Sequence, residues 1–128
     1  MIEKLQSLLK NSYSPYSHFA VSAIVIMKDG SEFSGVNVEN ASYGGGICAE
    51  RNAINAAIAA GYGKDDFRSL NIMVSSNKVS TCCFLCRQVI NEFFSSSSLI
   101  HCFNINGEEK TYTVAELCPY PFGEGDLK

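Results

Sequence analysis

Apolar positions in the first third of the chain predict one helix and one hairpin. Residues 2–9 place apolar side chains at helical spacing, and the pattern stops at the turn-rich residues 11–15. Residues 19–27 form a β-branched, apolar run that predicts a first strand. Asp29-Gly30 is a hairpin turn signal, so residues 32–36 are expected to run back antiparallel as a second strand.

The middle of the chain predicts a loop, a helix and a buried strand. Residues 37–46 are polar and end in three glycines, which favours a shaped loop of the kind that lines binding sites. Residues 48–60 are rich in alanine and predict a second helix, which Gly61 ends. The short apolar run at residues 70–74 is typical of a buried strand.

The last third predicts a third helix and a second hairpin. Residues 83–94 carry apolar side chains at helical spacing. After four consecutive serines, residues 99–103 and 110–114 read as strands joined at Asn106-Gly107. The order α-ββ-α-β-α-ββ, followed by a tail, predicts an α/β fold in which helices pack on a mixed five-stranded sheet. A length of 128 residues predicts one domain over residues 1–128.

Composition and charge exclude several classes of protein. Apolar residues make up 46% of the chain and charged residues 18%, which is too apolar for intrinsic disorder. The net charge of -3 provides no broad cationic surface, so nucleic-acid binding is not expected. No apolar run reaches the roughly 20 residues that span a bilayer, and the first residues do not resemble a signal segment, so we expect no membrane association and a cytoplasmic location.

Six cysteines in a cytoplasmic chain indicate metal binding or catalysis rather than disulfides. Cys83 and Cys86 form a C-x-x-C pair at the start of the third predicted helix, and Cys48 stands at the start of the second. Unpaired N–H groups and the helix dipole favour thiolates at both positions. Cys102 and Cys118 are interpreted as small buried apolar residues.

Three thiolates are a zinc ligand set that leaves the fourth tetrahedral position open, as in catalytic sites. Glu50, two residues after Cys48, is then placed to move protons without being a ligand. Because three thiolates leave a zinc site at a formal charge of -1, Arg51 and Arg87 are predicted to donate hydrogen bonds to sulfur. The alternative is a structural site with Cys82 or Cys118 as a fourth ligand. A structural zinc site does not explain the position of Glu50 or the glycines that precede Cys48. A thioredoxin-like redox site would use only the C-x-x-C pair and would give Cys48 no role.

The sequence resembles the small, homotetrameric cytidine deaminases with three zinc-binding cysteines. The similarity covers nearly the whole chain and continues into the tail. Its most specific segments are Tyr13-Ser14-Pro15-Tyr16-Ser17-His18-Phe19, Gly35-Val36-Asn37-Val38-Glu39-Asn40-Ala41-Ser42-Tyr43, Ile47-Cys48-Ala49-Glu50-Arg51-Asn52-Ala53 and the residues from Cys83 to Gln88.

The resemblance implies a three-layer α/β/α sandwich and the zinc-dependent hydrolysis of cytidine or 2'-deoxycytidine to the uridine analogue and ammonia. It implies Cys48, Cys83 and Cys86 as ligands of one zinc ion and Glu50 as the proton carrier. The implied substrate-binding residues are Phe19 on the pyrimidine ring, Asn37 and Glu39 on the sugar, the backbone at Ala49, Tyr43, and Phe122 from a neighbouring subunit.

Other interpretations of these residues stay open. Phe19 can belong to the core of the first strand, and Asn37 with Glu39 can simply shape a turn. Where relatives read Pro-Cys-Gly-Ala-Cys, this chain has Cys82-Cys83-Phe84-Leu85-Cys86, so the loop loses a proline and a glycine and gains a thiol. The alternative functions are a deaminase of an aminonucleoside antibiotic of the blasticidin S type and a zinc-stabilised binding module without turnover.

Overall fold

Five strands form one mixed sheet at the centre of the computed structural model, which describes residues 1–128. The spatial order is β2-β1-β3-β4-β5; β3 and β4 run parallel, and every other neighbouring pair is antiparallel. The strands are β1 Val21–Met27, β2 Glu32–Val36, β3 Phe67–Val74, β4 Leu99–Phe103 and β5 Glu109–Thr113.

Four α-helices accompany the sheet: α1 Ile2–Leu9, α2 Ala49–Ala59, α3 Phe84–Phe93 and α4 Val114–Leu117. The first three were predicted, whereas α4 was not. Residue 114 was predicted to end a strand, but it begins this short helix because Thr113 and Glu116 form a capping box. In that box the Glu116 backbone N–H donates to Thr113 Oγ1 at 3.1 Å, and the Thr113 N–H donates to Glu116 Oε1 at 2.8 Å. None of the helices is long and apolar enough to cross a membrane.

The helices cover both faces of the sheet, which confirms the three-layer α/β/α architecture. On one face, Leu5 and Leu9 of α1 pack with Ile24 of β1 and Met73 of β3. On the other face, α2, α3 and α4 pack on the alternate residues of the same strands to form the larger core cluster. Because successive side chains of a strand point to opposite faces, β1 contributes residues to both cores.

Three strands differ from the prediction at their first residues, and for β5 the difference is one position, since it begins at Glu109 rather than at residue 110. β1 begins at Val21 rather than at residue 19, because the Phe19 carbonyl accepts a hydrogen bond from the Asn37 side chain instead of pairing in the sheet. β3 begins at Phe67 rather than at residue 70, and its register with β4 starts at Ser69. Polar residues at the start of β3 hid these positions from a search for apolar runs.

The contact between β2 and α2 depends on a glycine. A Cβ atom on residue 35 would lie 2.5 Å from the backbone nitrogen of Ala53 and 2.6 Å from the carbonyl oxygen of Ala49. The Asn52 side chain reinforces the contact by donating to the Val36 carbonyl at 2.8 Å. Gly35 thus lets the start of α2 lie directly against β2, and this fixes the position of the residues at the helix N-terminus.

Candidate metal and active site

The N-termini of α2 and α3 meet, and they bring three cysteines together. Cys48 is the N-cap residue of α2, Cys83 is the N-cap residue of α3, and Cys86 lies in the first turn of α3. The three sulfur atoms all lie within 4.8 Å of one another. The predicted grouping of Cys48 with the C-x-x-C pair is therefore present in the fold.

The spacing and chemistry of these sulfurs fit a zinc ion. Two sulfurs bound to one tetrahedral zinc at ~2.3 Å lie about 3.8 Å apart, and the Sγ atoms of Cys48 and Cys83 are 3.8 Å apart. A disulfide requires a far shorter distance of about 2.0 Å, and all six cysteines are free thiols. With three sulfur donors, one tetrahedral position is left for a further ligand.

Neighbouring groups shift the pKa values of Cys48 and Cys86 in opposite directions. The Cys86 thiol, Arg51 and Cys83 stabilise the Cys48 thiolate and lower the pKa of Cys48 to about 5. The same interaction with Cys48, together with burial, raises the pKa of Cys86. A cation at this site would displace the remaining protons, because metals bind thiolates rather than thiols.

Arg51 lies beside the sulfurs, as predicted. Its Nη2 donates to Cys48 Sγ at 3.8 Å, and its Nε is buried without a hydrogen-bond partner. Burial acts to lower the pKa of Arg51, but its interactions with Cys48 and Cys86 outweigh burial and raise it. The guanidinium thus places a permanent positive charge next to the three sulfurs.

Glu50 is an almost completely buried acid in the first turn of α2, with 5% of its surface exposed. Burial is the main cause that raises the pKa of Glu50, and the charge on Cys48 acts in the same direction. The carboxyl group nevertheless lines a cleft beside Cys48 and Cys83. An acid with a raised pKa beside a metal-type ligand set can hold a proton and release it to a bound molecule.

The cleft has a volume of about 240 Å³ and brings most of the predicted site residues together. Its lining comprises Ser17, Phe19, Val21, Asn37, Glu39, Cys48, Ala49, Glu50, Ile72, Val74, Thr81 and Cys83. Five of these, Ser17, Val21, Ile72, Val74 and Thr81, were not predicted as site residues. Only Ser17 had a signal in the sequence, because it lies in one of the segments that resemble the cytidine deaminases. The other four residues reach the cleft through the register of β1 with β3 or through a loop.

Asn37 ties the cleft to the start of β1. Its Oδ1 accepts hydrogen bonds from the Val21 backbone N–H at 2.9 Å and from the Ser12 hydroxyl at 2.5 Å. Its Nδ2 donates to the Phe19 carbonyl at 2.8 Å. One N–H of the amide remains available to a ligand, because an amide nitrogen carries two.

Glu39 is held by the turn before β1. Its Oε1 accepts from the backbone N–H groups of Tyr16 and Ser17 at 3.0 and 3.1 Å, and its Oε2 accepts from the Ser17 hydroxyl. These donors, the Ser17 hydroxyl above all, lower the pKa of Glu39. Glu39 is therefore an ionised acceptor at neutral pH, and Oε2 keeps a free lone pair.

Tyr43 and Phe122 lie outside the cleft of their own chain. Tyr43 is 83% exposed and packs edge-on against Tyr16, with the ring centroids 6.3 Å apart. Phe122 is 56% exposed, and its backbone carbonyl accepts hydrogen bonds from Gln88 at 2.8 Å and Asn91 at 3.3 Å. The tail is thereby tied to α3 while the Phe122 ring faces outward.

Arg87 does not contact sulfur, so the prediction of an Arg87–sulfur hydrogen bond is not met. Its Nε donates to the Cys82 carbonyl at 2.8 Å, and its Nη1 and Nη2 donate to the Leu117 carbonyl at 2.9 Å and to Thr81 Oγ1 at 2.8 Å. The guanidinium also lies 4.4 Å from the centre of the Phe84 ring. The three recorded hydrogen bonds of this side chain go to oxygen atoms of the loop and of α4.

The remaining cysteines lie away from the sulfur cluster. Cys82 is buried in the core with 3% of its surface exposed, and burial raises its pKa. Cys102 is fully buried, which raises its pKa to about 12, and Cys118 is half-buried. Cys82 is therefore separate from Cys48, Cys83 and Cys86, although it is adjacent to Cys83 in the chain.

Known proteins resemble this chain in both sequence and fold. Residues 1–102 match the family model described as cytidine and deoxycytidylate deaminase zinc-binding region. A cytidine deaminase of Halalkalibacterium halodurans is 35% identical over 127 residues, which cover 99% of this chain and 95% of that protein. One of Sporosarcina psychrophila is 34% identical over 99% of this chain and 92% of its own length.

Solved structures give the same result. The crystal structure of cytidine deaminase from Burkholderia pseudomallei superposes with a TM-score of 0.90 at 36% identity, over 94% of this chain and 95% of that one. The matched family region contains all three clustered cysteines and Glu50. By sequence, fold and the grouping of its cysteines, the chain belongs to the cytidine and deoxycytidylate deaminase family.

Proposed function

We propose that the chain is a zinc-dependent cytidine deaminase of pyrimidine salvage. It converts cytidine and 2'-deoxycytidine, with one water molecule, to uridine and 2'-deoxyuridine and releases ammonia. The observation that carries the proposal is a buried acid, Glu50, beside three clustered sulfurs on the wall of one cleft. The curated relatives named cytidine deaminase and the similar solved structures support the same activity.

In this proposal Cys48, Cys83 and Cys86 hold one zinc ion per subunit. Zinc, when bound, supplies a Lewis acid that makes water a usable nucleophile near neutral pH. Arg51 offsets the excess negative charge of the three thiolates by donating to Cys48. The two helix N-termini act in the same direction, since their dipoles place partial positive charge near the sulfurs.

Glu50 carries the protons of the reaction. It gives a proton to N3 of the pyrimidine ring, which makes C4 more electrophilic, and it accepts a proton from the water that attacks C4. It then takes the second proton of that water from the new hydroxyl group on C4 and delivers it to the departing amino group, so that ammonia leaves and the carbonyl of uridine forms. Burial, which raises the pKa of Glu50, suits a group that must both hold and release a proton.

The free hydrogen-bonding capacity of Asn37 and Glu39 fits a sugar hydroxyl. Glu39 retains an acceptor lone pair and Asn37 retains one N–H, after their partners within the chain are counted. A single hydroxyl can donate to the first and accept from the second. We assign the ribose 3'-hydroxyl to this pair, the Phe19 ring to stacking on the pyrimidine, and the backbone at Ala49 to the pyrimidine edge.

We further propose that residues 1–128 act as one domain and that four subunits assemble with shared active sites. Tyr43 and Phe122 then contribute to clefts at subunit contacts, and Phe122 does so in the cleft of a neighbour. Their exposure within a single chain supports this arrangement, since Tyr43 is 83% and Phe122 is 56% exposed. The six free thiols agree with a reducing, cytoplasmic location.

Loss of the cytidine absorbance band on mixing tests the proposed activity. The wild-type chain is expected to remove the band, whereas Glu50→Gln, which keeps the shape of the side chain but cannot carry the proton, is expected to lose almost all turnover. Glu3→Gln is the matched control, because Glu3 is exposed on α1. Turnover that survives Glu50→Gln contradicts the role of Glu50, and no turnover on any cytosine nucleoside favours a zinc-stabilised binding module.

A further inference from the structure

The segment of residues 79–82, which leads into Cys83, receives all its hydrogen bonds from one side chain. Residues 79–83 have no regular secondary structure, and none of residues 79–82 takes part in a backbone–backbone hydrogen bond. The hydrogen bonds that this segment does make are to the Cys82 carbonyl and the Thr81 hydroxyl oxygen, and Arg87 donates both. A segment so poorly tied by its own backbone needs an external anchor to keep one conformation.

Arg87 connects that segment to two other parts of the fold. Its third donating nitrogen binds the Leu117 carbonyl at the end of α4, and its backbone N–H donates to the Cys83 carbonyl at 3.0 Å. The guanidinium also packs over the ring of Phe84, the first residue of α3. One residue therefore fixes the chain immediately before Cys83, at Cys83 and immediately after it.

Cys83 depends on such support more than the other two sulfur residues do. Its side chain is exposed, whereas Cys86 is buried in the core and Cys48 is half-buried. Packing therefore does little to hold the Cys83 sulfur. A guanidinium spreads its donors over three nitrogens in a fixed planar fork, whereas an ammonium group offers its three donors from a single nitrogen and cannot reproduce the same geometry.

From these contacts we infer that Arg87 is a positioning residue, which holds the loop of residues 79–82 so that the Cys83 sulfur is preorganised for zinc. The inference rests on the proposed function only in taking Cys83 as a zinc ligand. Arg87 acts through the backbone of the loop and through Thr81, which lines the cleft, and not through sulfur. Removing it should loosen the zinc site without touching any of the three ligands.

The test compares Arg87→Ala and Arg87→Lys with the wild-type chain and with Arg68→Ala, in which an exposed arginine without an ion pair is removed. Zinc release to a chromogenic chelator is measured on the zinc-loaded proteins. We expect release about 10–100-fold faster from both Arg87 variants, the range typical of residues that support metal ligands. Arg68→Ala is expected to match the wild type.

Backbone order from ¹⁵N relaxation is the second readout, and it does not depend on activity or on metal. The order parameter of residues 80–83 is expected to fall from the ~0.85 of rigid backbone to below ~0.6 in both Arg87 variants, while β3 and β4 stay rigid. Arg87→Lys keeps the positive charge but removes the planar guanidinium, so it tests whether the geometry of the donors matters. Wild-type zinc release and loop order in Arg87→Lys, or in Arg87→Ala, would overturn the inference, whereas a wild-type chain that binds no zinc would overturn the proposed function instead.

Discussion

The guanidinium of Arg51 lies 3.8 Å from the sulfur of Cys48, and its Nε is buried without a partner. Arg51→Gln removes the positive charge but keeps a polar side chain, so we expect zinc affinity to fall about 10–100-fold. Competition with a chelator of known affinity measures the change. Arg68→Gln serves as the control for loss of one arginine charge, and an unchanged zinc affinity in Arg51→Gln would remove Arg51 from the site.

Cys82 and Cys83 are adjacent in the chain but have different surroundings, since Cys82 is buried in the core and Cys83 is exposed beside Cys48. Cys82→Ala should therefore keep one zinc ion per chain, and Cys83→Ala should lose it. Metal analysis of the two purified variants measures the difference. The reverse result would mean that the ligand assignment is shifted by one residue.

Gly35 allows α2 to pack against β2, so Gly35→Ala should force the helix away from the strand. We expect a loss of about 1–3 kcal/mol in the free energy of unfolding, which is typical of overpacking, together with lower activity because α2 carries Cys48 and Glu50. Gly44→Ala is the control, since nothing lies within 4 Å of a Cβ atom at that position. Equal stabilities in urea denaturation would show that the contact tolerates a methyl group.

The Ser17 hydroxyl is the main cause that lowers the pKa of Glu39 below its ordinary value of 4.5. When the pKa of a carboxyl group is lower in the folded chain than in the unfolded chain, ionisation of that group stabilises the fold at pH values above the unfolded pKa. This contribution is lost as the pH falls through the folded pKa. Ser17→Ala leaves only the two backbone donors, so the folded pKa should rise toward 4.5 and the contribution should shrink.

Carboxyl ¹³C chemical shifts followed from neutral to acid pH give the Glu39 midpoint directly. The midpoint should lie below 4.5 in the wild-type chain and in Ser7→Ala, an exposed serine of α1, and closer to 4.5 in Ser17→Ala. Identical midpoints in the three proteins would show that the Ser17 hydroxyl does not stabilise the carboxylate.

Local sequence patterns predicted most of the sheet because its strands obey simple rules. β2 and β4 have the predicted bounds, since apolar runs and the turn signals Asp29-Gly30 and Asn106-Gly107 mark their ends. The start of β3 escaped prediction because Arg68 and Ser69 interrupt its apolar run. The helix α4 escaped because a four-residue helix has too few positions to show a period.

The site was predictable where its members lie at helix starts and not where they depend on tertiary contacts. Cys48, Glu50, Cys83 and Cys86 follow from their spacing relative to α2 and α3. The hydrogen-bond partners of Arg87 could not be predicted from spacing in the same way. One of them, Leu117, is 30 residues away in the chain and comes near only when α4 packs on α3. Proximity in sequence suggested a sulfur partner, and the fold supplied three oxygens instead.

Turnover of cytidine, measured against the zinc content of the same sample, tests whether the cluster of Cys48, Cys83 and Cys86 holds a catalytic metal ion. Zinc is removed with a chelator and added back in steps, with Cys102→Ser as a thiol control outside the sulfur cluster. If the three thiolates hold a catalytic zinc ion, activity rises in proportion to bound zinc and reaches its maximum at one equivalent per chain. Full activity in a chain that holds far less than one equivalent of zinc would contradict this role of the cluster.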